Sequence, residues 1–168
     1  FLEEMARTIR MDRAQFPTHA TPPDGGTVYL TAADQEGLMV SYIQSNYQGF
    51  GSGIVIPGTG ISLQNRGRGF TLEEGHPNCV AGGKRPYHTI IPGFVMKEGA
   101  SLMSFGVMGA HMQAQGHVQM MVRIIAGRQN PQSAADAPRW YVTEGSILAL
   151  EKGFSSSIRA ELQRRGHL

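Results

Sequence analysis

Residues 25–34 read Gly-Gly-Thr-Val-Tyr-Leu-Thr-Ala-Ala-Asp, the most informative stretch of this 168-residue chain. Two unhindered glycines precede Thr27, and the residues after it alternate as in a half-buried strand. Cleavage of the bond between Gly26 and Thr27 would place a free α-amine beside the threonine hydroxyl. One residue would then supply both a nucleophile and its base. The same pattern is also typical of an ordinary turn that leads into a strand.

The composition excludes several classes of partner. The net charge is +2 and charged residues make up 17% of the chain, so no nucleic-acid partner is expected. No apolar run reaches the length of a membrane span, so no membrane partner is expected either. Cys79 is the single cysteine, which excludes an internal disulfide and leaves the compartment open, with the cytoplasm preferred. The chain begins with Phe1, which is typical of a piece of a longer product.

The chain changes character near Thr27. Residues 1–16 have apolar side chains near helical spacing, which predicts a helix. Residues 17–26 form a proline-rich linker of the kind that is exposed and easily cut. The pattern then predicts a strand over Thr27–Ala33, a turn over 34–37 and a returning strand over Leu38–Gln44. The expected boundary therefore separates a segment over 1–26 from a domain over 27–168.

The rest of the chain predicts further antiparallel strands and a few helices. Strands are expected at 54–56 and 60–64, in a hairpin of 89–96 with 101–105, and within 140–151. Helices are expected over 113–126, after Asn130-Pro131 and over 155–165. On the first of these helices an apolar stripe is expected to face the core, formed by Val118, Met121, Val122 and Ile125. This order predicts an α+β fold with helices packed on antiparallel sheets.

Further segments extend this pattern in a fixed order. They are Phe50-Gly51-Ser52-Gly53, Lys84-Arg85-Pro86 with Pro92, Ala135-Asp136-Ala137-Pro138-Arg139 and Glu151-Lys152-Gly153-Phe154. With residues 27–37 they resemble the small-subunit region of the gamma-glutamyltransferase (gamma-glutamyltranspeptidase) family, from about Thr27 to Gly166. The resemblance implies an N-terminal-nucleophile hydrolase fold, with two stacked antiparallel β-sheets between helix layers in a four-layer αββα arrangement. It also implies that residues 1–26 are the end of a large-subunit region.

The resemblance assigns the catalytic groups. Thr27 corresponds to the catalytic threonine, which attacks the carbonyl of Gly26 in the precursor and so releases its own α-amine. That amine has an ordinary pKa of about 7.7–8.0 and can accept the hydroxyl proton near neutral pH. Gly109 and Ala110 correspond to the turn whose N–H groups stabilise the oxyanion. The family usually has two glycines there, and Ala110 resists a positive φ.

The same resemblance indicates the substrate-binding residues. Ser45, Asn46 and Tyr47 occupy the stretch where the family places polar groups beside the nucleophile. His88 and Thr89 occupy the position of paired serines that contact the substrate carboxylate. His88 could instead be a hydrogen-bonded loop residue.

Residues 64–70, Gln-Asn-Arg-Gly-Arg-Gly-Phe, depart from the transpeptidase pattern. Arg66 and Gly69 stand where typical members have a glutamine and an aspartate that grips the α-amino group. A guanidinium favours anions, so a substrate with a carboxylate and no free α-amine fits better than glutathione. This form resembles the acylase-like branch of the family. The alternative is that Arg66 forms a salt bridge within its loop.

The prediction is therefore an acyltransferase or amidohydrolase that cleaves a gamma-glutamyl or related amide through a Thr27 acyl intermediate. It needs no cofactor, and His111 and His117 lack the carboxylate spacing of a metal site. The expected partners are a small acyl-amide substrate and the large subunit of the same precursor, with a higher oligomer also open. The alternatives are an uncleaved or inactive precursor that acts as a binding module, and a structural protein in which Gly-Gly-Thr is coincidental.

Overall fold

The computed structural model describes residues 26–168. The helix predicted over 1–16, nearly all of the linker and the segment assigned to a large-subunit region lie outside the described residues.

The first hairpin carries Thr27 at its open end. Strand β1 covers Thr27–Ala33 and strand β2 covers Met39–Ser45. They pair antiparallel with Thr27 opposite Ser45. The Asp34 carboxylate fixes the turn, because its Oδ1 accepts hydrogen bonds from the backbone N–H groups of Glu36 at 3.0 Å and Leu38 at 2.9 Å. The predicted hairpin is confirmed, and its register places Thr27 beside Ser45.

The second hairpin packs on the first. Strand β3 covers Gly93–Lys97 and strand β4 covers Ala100–Phe105, so the predicted strand over 89–96 begins four residues too early. Pro92 has no N–H to donate to a ladder, which explains the later start. Gly106 follows β4 directly under the Tyr29 ring, where a Cβ would lie 2.7 Å from ring carbons. This close approach brings the chain after β4 against β1.

A helical segment follows the second hairpin. A 3₁₀ turn over Ala110–Met112 leads into helix α1, Gln113–Met121, and the chain continues as a π-helical turn over Val122–Ala126. Helix α2 covers Pro131–Asp136, and the Asn130 side chain caps it by accepting from the Ser133 N–H at 2.8 Å. The predicted helices over 113–126 and after Asn130-Pro131 are thus confirmed, apart from the wider π-helical turn.

The last part of the chain contains the third hairpin and a terminal helix. Strand β5 covers Trp140–Glu144, strand β6 covers Ile147–Leu150 and helix α3 covers Ser156–Arg164. Within residues 26–168 the three hairpins form separate two-stranded antiparallel sheets. The predicted strands at 54–56 and 60–64 are reduced to one bridge between Val55 and Ser62. Helices combined with antiparallel strands confirm the α+β class.

Burial in the described part of the chain is unusual. Ala134 is a fully buried hydrophobic residue, whereas the buried polar residues are Arg66, Thr89, Gln113 and Gln119. Several large apolar side chains share one face of the first hairpin and stay about half exposed or more, namely Val28, Leu30, Val40 and Tyr42. Between residues 26 and 168 no helix has the length and hydropathy needed to cross a membrane.

Candidate active site

Thr27 lies in the wall of a cavity of about 250 Å³. Its Oγ1 donates a hydrogen bond to Ser45 Oγ at 2.9 Å, since the antiparallel register places the two residues opposite each other. Ser45 Oγ also accepts the backbone N–H of Tyr47 at 3.0 Å, which fixes the hydroxyl. The cavity is lined by Gly26, Thr27, Ser45, Tyr47, Arg66, Thr89, Met108, Gly109, Ala110 and Gln113.

Arg66 is the charged group of this cavity, although only 8% of it is exposed. Its Nη1 donates to the Ser45 carbonyl oxygen at 2.8 Å, and its Nε donates to Thr89 Oγ1 at 3.2 Å. The guanidinium also lies over the Tyr47 ring at 5.7 Å from its centroid. Within residues 26–168 no carboxylate forms an ion pair with Arg66. A buried guanidinium held only by neutral acceptors is suited to bind an anion.

Burial lowers the pKa of Arg66, and the nearby Tyr47 opposes this shift. Because an arginine titrates far above neutral pH, the side chain keeps its positive charge. The alternative prediction, that Arg66 forms a salt bridge within its loop, is wrong for the described residues. The cavity therefore holds a permanent positive charge close to Thr27.

Asn78 joins the two loops that carry Arg66 and Thr89. Its Nδ2 donates to the Gly69 carbonyl oxygen at 2.5 Å, and its Oδ1 accepts the Tyr87 N–H at 2.8 Å. One amide thus links the 3₁₀ turn Arg66–Gly69 to the segment just before Thr89. Sequence reasoning missed Asn78, because a loop residue with two distant backbone partners has no periodic signature.

The turn before α1 has two successive residues with positive φ. Gly109 has φ 147° and Ala110 has φ 49°, both outside the range that residues with a Cβ favour. The Met112 N–H closes the turn on the Gly109 carbonyl oxygen at 2.9 Å. Ala110 thus adopts the positive φ that its side chain disfavours, a strain of the kind found at functional sites.

Other side chains selected from the sequence lie outside the cavity wall. The carbonyl oxygen of Asn46 accepts the Asn65 N–H at 3.2 Å, and the Asn46 side chain is not part of the lining. His88 is exposed, and its Nδ1 accepts the Ile90 N–H at 3.0 Å within its own loop. Within the described ranges no group of three His, Cys, Asp or Glu side chains could hold a metal ion.

The buried face of α1 is polar, so the expected apolar core stripe is wrong for the described residues. Val118 and Val122 are each 56% exposed, whereas Gln113 and Gln119 are 3% and 4% exposed. The glutamines are buried because their amides bind backbone groups of neighbouring segments, a function that an apolar side chain lacks. Gln113 also lines the cavity, and sequence reasoning missed it.

Known structures define the fold class. The chain is similar to the crystal structure of cephalosporin acylase from Bacillus halodurans, at a TM-score of 0.76 and 55% identity over 83% of this chain and 26% of that one. A Helicobacter pylori gamma-glutamyltranspeptidase chain superimposes at a TM-score of 0.73 and 24% identity, over 83% of this chain and 81% of that one. The fold is of the N-terminal-nucleophile hydrolase type, as predicted.

The family follows from the sequence. The chain belongs to the gamma-glutamyltranspeptidase family, whose sequence model matches residues 1–168. It is 37% identical to the oxamate amidohydrolase proenzyme of Klebsiella pneumoniae, over 99% of this chain and 32% of that protein. The chain thus spans about a third of the length of this curated relative. Relatives in this family are named as glutathione hydrolases, transpeptidases and acylases, which confirms the predicted resemblance, including its acylase-like branch.

Proposed function

We propose that the chain is the catalytic part of an amidohydrolase or acyltransferase that cleaves a small amide with a carboxylate on its acyl portion. One observation carries this proposal: Thr27 lines the same cavity as Arg66, which is buried and pairs with no carboxylate within residues 26–168. The threonine hydroxyl is the nucleophile, and the guanidinium binds the substrate carboxylate through charge-assisted hydrogen bonds.

Self-cleavage precedes catalysis in this proposal. The Thr27 hydroxyl attacks the Gly26 carbonyl carbon, the peptide C–N bond breaks, and the resulting ester is hydrolysed by water. Residues 1–26 then end the large subunit, and residues 27–168 form the catalytic subunit. Before cleavage the Thr27 nitrogen is an amide and cannot act as a base. Afterwards it is an amine that accepts the hydroxyl proton near neutral pH.

The acyl-transfer cycle repeats this chemistry on the substrate. Thr27 Oγ1 attacks the amide carbon while the α-amine takes its proton, and the amine product leaves with that proton. Ser45 orients the nucleophile, since its Oγ already accepts the Thr27 hydroxyl. The N–H groups of Gly109 and Ala110 stabilise the oxyanion. Water, or an acceptor amine, then takes the acyl group from Thr27, and no step requires a cofactor.

The remaining candidates have less direct support. Thr89 holds the Arg66 guanidinium through its hydroxyl, and Tyr47 covers it with its ring. Substrate contacts by Asn46 and His88 stay predictions, because neither side chain lines the cavity.

A second polypeptide is part of the proposal. The apolar face formed by Val28, Leu30, Val40 and Tyr42 is largely exposed, which is costly for a free subunit. The chain spans about a third of its Klebsiella relative, so a partner is available in the rest of such a precursor. We infer that the large subunit of the same precursor covers this face.

The substrate class follows from the charge of the cavity. Removing the α-amine from a gamma-glutamyl group leaves a glutaryl group, which keeps one carboxylate for Arg66 and presents no ammonium to it. Oxamate, the amide named in the Klebsiella relative, likewise carries a carboxylate on its acyl side. Half-amides of dicarboxylic acids are therefore the proposed substrates.

The test compares two chromogenic amides with one leaving group, glutaryl-p-nitroanilide and gamma-glutamyl-p-nitroanilide. The chain is produced together with the rest of its precursor, and N-terminal sequencing establishes whether a subunit begins at Thr27. Faster release from the glutaryl amide by the cleaved protein is expected, with no cleavage and no release in Thr27→Ala.

A preference for the gamma-glutamyl amide would overturn the assigned substrate class. A protein that stays uncut and inactive after long incubation would favour the binding-module alternative instead. Activity retained by Thr27→Ala would exclude Thr27 as the nucleophile.

A further inference from the structure

Gln113 is the buried polar side chain of the cavity that the proposed cycle leaves without a role. It is the first residue of α1 and is 3% exposed. Its Nε2 donates to the Thr89 carbonyl oxygen, whereas its Oε1 is buried and has no donor within residues 26–168. An unpaired buried amide oxygen is destabilising. Methionine would fill a similar volume and remove the unpaired oxygen, but it would also lose the hydrogen bond to the Thr89 carbonyl oxygen, so stability alone gives little reason for the glutamine.

Gln113 begins a continuous chain of hydrogen bonds that reaches the nucleophile. It holds the carbonyl of Thr89, and the hydroxyl of Thr89, itself 4% exposed, accepts from Arg66 Nε at 3.2 Å. Arg66 Nη1 then donates to the Ser45 carbonyl oxygen at 2.8 Å, and Ser45 Oγ accepts the Thr27 hydroxyl at 2.9 Å. Because Gln113, Thr89 and Arg66 are buried, this part of the chain of contacts is well placed to hold a fixed geometry.

The start of α1 also carries the proposed oxyanion turn. Gly109 and Ala110 lie directly before α1 and line the same cavity as Arg66. The turn and the guanidinium belong to separate segments of the chain. Among the described residues, the hydrogen bond from the Gln113 side chain to Thr89 connects the first residue of α1 to the loop whose Thr89 hydroxyl binds Arg66.

We propose that Gln113 is a positioning residue that sets the distance between the oxyanion turn and the Arg66 guanidinium, and so the acyl length that the site accepts. The inference rests on the proposed function, in which the turn binds the carbonyl oxygen and Arg66 binds the carboxylate. A fixed distance between these two groups favours one spacing between carbonyl and carboxylate over shorter and longer ones.

The test measures kcat and KM for succinyl-, glutaryl- and adipyl-p-nitroanilide with wild type and Gln113→Met in the assembled, cleaved protein. For the amide that wild type prefers, KM should rise about tenfold, as for the loss of one buried hydrogen bond, while kcat stays within about twofold. The discrimination between the three lengths should shrink. The thermal midpoint should change little, because removal of the unpaired Oε1 offsets the loss of the hydrogen bond to the Thr89 carbonyl oxygen.

Gln119→Met is the matched control, since Gln119 is equally buried on the same helix but has both amide atoms paired. It should lower the thermal midpoint and leave the length preference intact. If Gln113→Met does not fold, Gln113→Leu also removes the donor, adds no charge to the cavity and should give the same rise in KM.

An unchanged length preference in the Gln113 variants would overturn the inference, as would a fall in kcat at constant KM. The same loss of discrimination in Gln119→Met would also overturn it, since any disturbance of α1 would then suffice. A wild-type protein that cleaves none of the three amides would overturn the proposed function itself, and the inference with it.

Discussion

Each end of α1 buries a glutamine, but the two side-chain amides differ in their hydrogen bonding. Gln119, near its C-terminal end, accepts the Trp140 N–H at 2.9 Å and donates to the Trp140 carbonyl oxygen at 2.9 Å. Gln115 makes the same paired contact with the backbone of Val142, at 2.9 and 3.0 Å. Gln113, at the N-terminal end, uses its donor and leaves its acceptor unpaired among the described residues.

The C-terminal part of α1 stabilises the fold, whereas its N-terminal end belongs to the candidate active site. Gln115 and Gln119 take the place of a neighbouring strand, because their amides bind the backbone N–H and C=O groups of alternate residues on the outer edge of β5. The other end has an alanine at positive φ, and among the described residues the Gln113 amide oxygen has no donor and the Arg66 guanidinium has no carboxylate partner. Features of this kind lower stability and are concentrated at sites of binding and catalysis.

The largest effect is expected from Arg66→Met, which removes the charge at the functional end. Loss of charge-assisted hydrogen bonds to the substrate carboxylate, worth about 1.5–3 kcal/mol, should lower kcat/KM for glutaryl-p-nitroanilide by up to about 100-fold. Butyryl-p-nitroanilide, which has the same leaving group and no carboxylate, should be affected far less. Steady-state kinetics with both amides measures the difference.

Arg68→Met is the control for Arg66, since Arg68 lies in the same 3₁₀ turn but is exposed and binds Gln48 Oε1 at 2.9 Å. It should keep the wild-type preference for the anionic amide. An equal loss on both amides in Arg66→Met would mean that the arginine supports the fold of the cavity and does not select the substrate.

At the architectural end, Gln119→Met should chiefly cost stability. The substitution leaves the N–H and C=O of Trp140 without their side-chain partners, so we expect a loss of about 1–3 kcal/mol in the free energy of unfolding. Urea titration of the assembled protein measures this value. A variant as stable as wild type would show that the edge of β5 does not need the glutamine. Gln119 would then have no stabilising role to set against the functional role of Gln113.

The sequence predicts the local parts of this picture well and the long-range parts poorly. Alternation from Thr27 and the turn at Asp34 are enough to predict the first hairpin, and Asn130-Pro131 is enough to predict the start of α2. The resemblance selects residues that the fold brings together, among them Ser45, Arg66 and Thr89. The roles of Gln113 and Asn78 could not be predicted, because their hydrogen-bond partners are backbone atoms of distant loops and leave no periodic pattern in the sequence.

A smaller effect is expected from Ala110→Gly, which tests the strain at the functional end. Ala110 has φ 49°, a conformation that glycine adopts without a Cβ penalty. The variant should gain about 1 kcal/mol of stability, measured by urea titration, and should keep the oxyanion turn. A matched change away from positive φ, Ala114→Gly on the exposed side of α1, should instead lower stability by a similar amount.

His117 lies on α1 between the two ends and gives the smallest effect. Its ring packs on Phe105 at 4.8 Å between centroids, and its Nε2 is buried without a partner among the described residues. Burial lowers the pKa of His117, so the folded protein favours the neutral ring. The unfolded chain therefore binds more protons in the window below the ordinary pKa of about 6.5, and stability should fall as the pH drops through it.

His117→Phe should flatten this pH dependence, because phenylalanine can pack on Phe105 without a titrating nitrogen. As the pH falls below about 6.5, the thermal midpoint of wild type should fall by more than that of the variant. His111→Phe removes an exposed imidazole from the same region and serves as the control. If the thermal midpoint of the His117 variant depended on pH as strongly as that of wild type, the acid sensitivity would come from other groups. His117 would then have only a packing role in the middle of α1.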